Sequence, residues 1–123
     1  TQDPRLMFTI TKEFHFSASH QLSHLPEDHQ CARLHGHNYV VVVELRAEEL
    51  NVDGFVRDYG ELKPFKTYID ETFDHRHLND VLDFASTGEN MARHLYEWCA
   101  GRWPETTAVK VSETPKTWAE YRP

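Results

Sequence analysis

Apolar residues alternate along residues 6–18, "LMFTITKEFHFSA", where Phe8, Ile10, Phe14 and Phe16 share one parity and Thr9, Thr11, Glu13 and His15 take the other. A period of two predicts a half-buried strand, and Ala18 and His20 continue its apolar parity. From His37 to Leu45, "HNYVVVVEL" is β-branched and places Tyr39, Val41, Val43 and Leu45 on the parity of His37. This predicts a second long strand, antiparallel to the first.

The period then changes. After a turn at "NVDG", Asp58 with Glu61 three residues on reads as a capping box, and Leu62, Phe65, Ile69 and Phe73 follow at helical spacing. Pro64 fits such a helix only in its first turn. "DHRHLND" has no period and reads as a loop. Ser86 and Glu89 form a second capping box, for a helix that turns Met91, Leu95, Trp98 and Cys99 inward. "TAVKVSET" and "TWAEYRP", two short alternating runs either side of "PK", predict a hairpin. The order is ββααββ, and helices laid on one face of an antiparallel sheet give an α+β fold. At 123 residues the chain fits a single domain over 1–123, with no linker, repeat or low-complexity segment.

Charge narrows the partners. The formal net charge is -7 and no Lys/Arg stripe is present, so nucleic acid is not an expected partner. No run of 18 apolar residues exists and the N-terminal stretch lacks the pattern of a signal peptide, so the expectation is a soluble, cytoplasmic protein with no membrane partner. The two cysteines, Cys31 and Cys99, are expected to be unpaired there, with Cys99 a packing residue of the second helix.

Nine histidines make an H-x-H pair unremarkable, and the chain holds two, His35-Gly-His37 and His75-Arg-His77. Context separates them. Residues i and i+2 of a strand project to one face about 6.6–6.8 Å apart, close enough for two imidazoles to share an ion. His37 opens a strand, whereas the second pair sits in a loop. Antiparallel pairing brings the end of the first strand, with His20, near the start of the second. Three converging histidines with an open position describe a catalytic metal site, and Cys31 as a fourth ligand would make it a structural one. Solvent-facing histidines with no metal are the third alternative, and His24 and His29 read as surface residues.

Other groups carry chemistry. Cys31 lies among histidines and Arg33, surroundings that favour a thiolate able to act as base or nucleophile. In Asp74-His75 a carboxylate adjoins an imidazole that it can orient and make more basic. Glu113 shares parity with Val109 and Val111, so its carboxylate points toward the apolar side and requires a cationic or multi-donor partner, from the protein or from a ligand.

In order and spacing, "FHFSASH", "CARLHGHNY", "VRDYGELK", "DHRHLN", "STGEN" and "SET" resemble the 6-pyruvoyltetrahydropterin synthase family, from about Phe14 to Thr114. The resemblance implies a tunnelling fold (T-fold), a four-stranded antiparallel sheet with two helices between its second and third strands. It implies trimers that close a barrel and stack in pairs as a homohexamer. By the same resemblance His20, His35 and His37 match the ligands of Zn2+, Cys31 the catalytic thiol, and Asp74 with His75 a proton-transfer pair. Glu113 matches the anchor for the amino-pyrimidine edge of a pterin, and Thr87 and Glu89 the segment that closes around it, although the family more often has proline where Ser86 stands. The spacing Cys-x3-His-Gly-His is similar to that of the 6-carboxytetrahydropterin synthases of queuosine and 7-deazapurine biosynthesis. They act on 7,8-dihydroneopterin triphosphate as small-molecule substrate. A pyruvoyl-forming enzyme and a non-catalytic zinc- or pterin-binding module are the alternatives. Arg33, Arg76, Lys63 and Lys116 are the candidate contacts for the triphosphate.

Overall fold

Two 13-residue strands, β1 (Phe8–His20) and β2 (His35–Ala47), form the centre of a five-stranded sheet in a computed structural model that describes residues 7–123. Leu6, where the expected first strand begins, lies outside the described residues. The two strands pair antiparallel throughout, from Phe8 opposite Ala47 to His20 opposite His35. β1 ends at His20, where its apolar parity ends, and β2 runs two residues beyond the expected His37–Leu45 at each end. After β2, the turn expected at "NVDG" closes on Asn51, whose side-chain oxygen accepts the N–H groups of Asp53 and Phe55, each at 3.0 Å, and Gly54 supplies the positive φ of 87°.

Asp58 does cap a helical turn, accepting the Gly60 N–H at 2.9 Å, but the turn it opens is 3-10, over Tyr59–Leu62. The α-helix α1 (Lys63–Thr72) follows directly, with Pro64 in its first turn as anticipated. Glu61 does not complete a capping box; it pairs instead with Arg57 at 2.9 Å. The loop expectation for "DHRHLND" also needs correction. Arg76–His77 form a two-residue strand, β3, parallel to the end of β1, and Leu78–Val81 form a short helix, α2. The sheet is therefore mixed, in the order β3-β1-β2-β4-β5, rather than four-stranded and antiparallel. The last helix, α3 (Gly88–Arg102), is capped by Thr87, whose side chain accepts the Asn90 N–H at 3.2 Å, and not by Ser86. Strands β4 (Thr106–Thr114) and β5 (Thr117–Tyr121) make the expected hairpin about Pro115-Lys116.

One face of the sheet meets α1 and α3 across the core. Phe14, Phe16, Tyr39, Val41, Val43 and Val111 come from the strands; Phe65, Ile69, Met91, Leu95 and Cys99 come from the helices. Burial holds the Cys99 thiol well above its ordinary pKa, as befits a packing residue. Trp98 turns only partly inward: it stacks on Tyr68 at 4.6 Å, and the Arg102 guanidinium lies 4.3 Å over its ring. No helix among the described residues is long and apolar enough to cross a membrane.

On the opposite face, the irregularity at Glu44/Leu45 in the β2–β4 pairing sets Thr107 beside Glu44. Glu44 takes a fork from Arg122 at 2.7 and 2.9 Å and the Thr107 hydroxyl at 2.7 Å, which holds its carboxyl down to about 2 despite burial. Its ordinary value is 4.5, so the stabilisation is complete above that pH and is lost as pH falls toward 2, by about 3 kcal/mol at most. The advantage of the wild type over Glu44→Gln in denaturant titrations is expected to shrink between about pH 5 and about pH 3. A constant difference would show that the fork does not set acid stability.

Candidate metal centre

The register of β1 and β2 builds the site. His20 sits directly opposite His35, and Ala18 opposite His37, so all three histidines lie on the core-facing side of the sheet, at the end where β1 stops and β2 begins. Ring centroids are 4.5 Å apart for His20 and His35, 5.1 Å for His20 and His37, and 4.9 Å for His35 and His37. One nitrogen of each ring lies within 4.8 Å of those of the other two. The convergence inferred from strand parity is thus present, in the only group of its kind among the described residues.

The hydrogen bonds give each ring its direction. The His35 Nδ1–H donates to the Arg33 carbonyl at 2.7 Å, leaving Nε2 as the lone pair. Nδ1 of His20 meets the Ser86 carbonyl at 3.0 Å and the Ser86 hydroxyl at 2.9 Å. Nε2 of both His20 and His37 is buried without a hydrogen-bond partner, a cost of about 1–3 kcal/mol for each such group unless something fills the space between them. A divalent ion that prefers nitrogen ligands satisfies that need, so the residues present fit one.

Electrostatics agrees with ligation by neutral imidazoles. Burial, then the neighbouring His35, pushes His20 down to about 4. Burial also lowers His37, against the opposing pull of Glu113, whose Oε2 lies 3.4 Å from the His37 Nε2. Both rings therefore present lone pairs at neutral pH.

Glu113 follows its strand parity inward and meets the centre on its edge. Its other oxygen, Oε1, hangs over Gly88 in the first turn of α3, where an added Cβ would stand 3.2 Å away. Thr87 caps that helix beside it, while Glu89 opens onto solvent from the same turn. One carboxylate thus spans the histidine trio and a helix N-terminus, a place where a polar ring with paired N–H donors can be read.

Asp74 and His75 form a second cluster, between α1 and β3 and held against Ser17 of β1. Asp74 Oδ1 accepts the Ser17 N–H at 2.9 Å, and its Oδ2 faces the His75 Nδ1, also at 2.9 Å. The Ser17 contact, then His75, holds the Asp74 carboxyl below its usual range, so it stays ionised and orients the imidazole. His75 has a positive φ of 57°, rare for a residue with a Cβ, and the Ser17 carbonyl fixes it there by accepting the His75 N–H at 2.6 Å. His75 and Arg76 line an open cleft of about 470 Å³ with Ser17, Ser19 and Asn38, and of the trio only His37 borders it.

Cys31 does not join the trio. It sits half-buried in a 3-10 turn over Gln30–Ala32, its N–H donating to His29 Nδ1 at 3.0 Å and its carbonyl accepting the Leu22 N–H at 2.8 Å. Those bonds bind the thiol's loop to the chain just beyond His20. His29, read from sequence as a surface residue, is the cap of that turn. Ser86 and Ser17 are the functional neighbours that the sequence hid: one looked like a helix cap, the other an ordinary strand residue, and their contacts arise only in the fold.

Comparisons with known proteins converge. The sequence model of 6-pyruvoyl tetrahydropterin synthase matches residues 9–123. The 6-carboxy-5,6,7,8-tetrahydropterin synthase of Synechocystis sp. is 35% identical over 123 residues, covering 94% of this chain and 93% of that protein. The 6-pyruvoyl tetrahydrobiopterin synthase of Drosophila melanogaster is 36% identical over 134 residues, covering 92% of this chain and 78% of that one. The structure of the Caenorhabditis elegans 6-pyruvoyl tetrahydropterin synthase superposes with a TM-score of 0.84 at 30% identity, covering 95% of this chain and 96% of that chain.

Proposed function

The chain belongs to the 6-pyruvoyl tetrahydropterin synthase family, and from that premise we propose that it is a zinc-dependent lyase, one domain over 1–123, that converts 7,8-dihydroneopterin triphosphate and water to 6-carboxy-5,6,7,8-tetrahydropterin, acetaldehyde and triphosphate. The observation that carries the reading is the histidine trio, two of its ring nitrogens buried and unpartnered, with the Glu113 carboxylate 3.4 Å from one of them. The reaction needs no external reductant, because the ring gains the electrons that the side chain loses.

His20, His35 and His37 would hold the Zn2+, which when bound would supply Lewis-acid chemistry that acidifies the carbon–hydrogen bonds beside the substrate's side-chain oxygens. Glu113 accepts paired N–H bonds from the amino-pyrimidine edge of the pterin and fixes which side-chain carbon faces the bases, and Thr87 and Glu89, in the turn of α3 beside it, close over the bound ring. The Cys31 thiolate takes a side-chain proton, and His75, oriented by Asp74, carries protons on the other face. Arg76, which shares the cleft with His37 and His75, is the first of the basic candidates for the triphosphate, ahead of Arg33, Lys63 and Lys116.

The family includes homologues named for both products, so the pyruvoyl-forming reaction, in which triphosphate leaves without side-chain cleavage, is the second reading. The Cys-x3-His-Gly-His spacing favours the carboxy product and a place in queuosine or 7-deazapurine biosynthesis in the cytoplasm. A homohexamer is proposed with it, since β1 outside its short β3 pairing and β5 leave sheet edges that a closed barrel would pair.

The test incubates zinc-loaded protein with 7,8-dihydroneopterin triphosphate, follows acetaldehyde and identifies the pterin by mass. Acetaldehyde with the 6-carboxy product is the expected result; triphosphate with a pyruvoyl pterin selects the second reading, and unchanged substrate overturns both in favour of a binding module. In Glu113→Gln the acceptor loses its charge, and since hydrogen bonds to charged groups contribute about 1.5–3 kcal/mol, KM is expected to rise roughly 10- to 100-fold. Zinc content is expected to stay at the wild-type level, and an unchanged KM would remove Glu113 from substrate binding.

A further inference from the structure

We propose that Ser86 is the positioning residue of the metal centre: its carbonyl and hydroxyl together hold His20 by Nδ1 and aim the Nε2 lone pair at His35 and His37 before any ion arrives. The inference rests on reading the histidine trio as a metal site.

His20 and Ser86 are each 1% exposed, so water does not orient this ring. Two oxygens of one residue approach its Nδ1, the Ser86 carbonyl at 3.0 Å and the Ser86 Oγ at 2.9 Å. A carbonyl oxygen only accepts, so Nδ1 carries the proton. The other tautomer would press a nitrogen lone pair against the carbonyl and leave an Nε2–H buried, without an acceptor, facing His35 and His37. With the proton on Nδ1, the hydroxyl accepts a share of the same N–H and prevents the ring from swinging about the single carbonyl bond.

Ser86 can direct His20 because it is itself fixed from elsewhere. Thr87 takes the α3 cap by accepting the Asn90 N–H, and the Asn90 side chain donates back to the Ala85 carbonyl at 2.9 Å. Both flanks of Ser86 are thereby tied to the first turn of α3, and its hydroxyl is released from the capping role its sequence position suggests. The reference frame for the buried ligand is thus the helix, across the core from the strand that carries it.

Outer contacts to a ligating histidine typically change metal affinity by about 10- to 100-fold. In metal-free Ser86→Ala, where the carbonyl bond survives alone, zinc affinity measured by competition with a chromophoric chelator is expected to fall roughly 10-fold. Ser86→Thr keeps a hydroxyl and is expected to stay close to wild type. The second readout is the His20 tautomer in the metal-free wild type, from long-range nitrogen–proton NMR correlations, expected as Nδ1–H. Unchanged affinity in Ser86→Ala, a threonine variant as weak as alanine, or an Nε2–H tautomer in the wild type each overturns the proposal. A wild type that takes up no zinc overturns the metal reading itself, a different result from a wild type that binds and a serine that does not matter. Thermal denaturation of the metal-free variants reports folding, and the wild-type tautomer decides the case if Ser86→Ala does not fold.

Discussion

Replacing His35 by alanine is expected to abolish stoichiometric zinc binding and, with it, turnover, while the chain still folds. His35 is the informative choice among the three. His20 is 1% exposed and packed against Ser86, so its removal opens a hole in the protein; His35 is only half-buried, at the first position of β2. Its one side-chain bond is to the Arg33 carbonyl, on the surface. Two imidazoles and an open face do not make a tetrahedral nitrogen site. A metal used as Lewis acid supplies several kcal/mol of transition-state stabilisation, so its loss corresponds to a fall in kcat of roughly 10³-fold or more. Metal analysis of the purified variant, melting with and without added zinc, and turnover check the three parts. Zinc should raise the wild-type melting temperature and leave that of the variant unchanged. Chelator-treated wild type should be as slow as the variant, and a His35→Ala protein that retains one equivalent of metal would refute the assignment.

That this trio was legible at all follows from the period of the strands. His20, His35 and His37 sit on the same parity as Phe16, Tyr39 and Val41, and once two long strands pair antiparallel, parity alone delivers the three rings to one face. The residues that aim the rings were not legible. Ser86 and Thr87 stand side by side, both able to cap a helix, and Glu89 three residues after Ser86 makes the wrong one look better; the choice is made by packing, because a buried His20 needs the Ser86 oxygens. Two residues are too few to show a period, so β3 was invisible in "DHRHLND". It pairs with Ala18 and Ser19, just after Ser17 of the same strand fixes Asp74 and the left-handed His75. Asp58 kept its capping role but over a 3-10 turn, since Pro64, with no N–H, falls at the start of the helix that follows. Local signals placed the elements; contacts of long sequence separation placed the chemistry.

Cys31→Ala separates the two jobs a cysteine beside a histidine cluster can do. As a metal ligand its loss would empty the site; as a base its loss would leave the metal in place and stop the reaction. The thiol lies outside the trio, and what holds its turn is backbone: the Cys31 N–H on His29 and the Cys31 carbonyl on the Leu22 N–H. Alanine keeps both bonds, so the loop, the zinc content and the melting temperature are expected to match wild type. A positioned acid or base contributes about 10²–10⁴-fold, and a fall in kcat of that size is expected with little change in KM. Cys31→Ser should be nearly as slow, because a serine hydroxyl ionises far less readily than a thiol. Turnover that survives in Cys31→Ala would take the thiol out of the mechanism and leave His75 and Asp74 as the proposed proton carriers. Loss of zinc would instead show Cys31 moving in as a fourth ligand, closing the position that substrate must occupy.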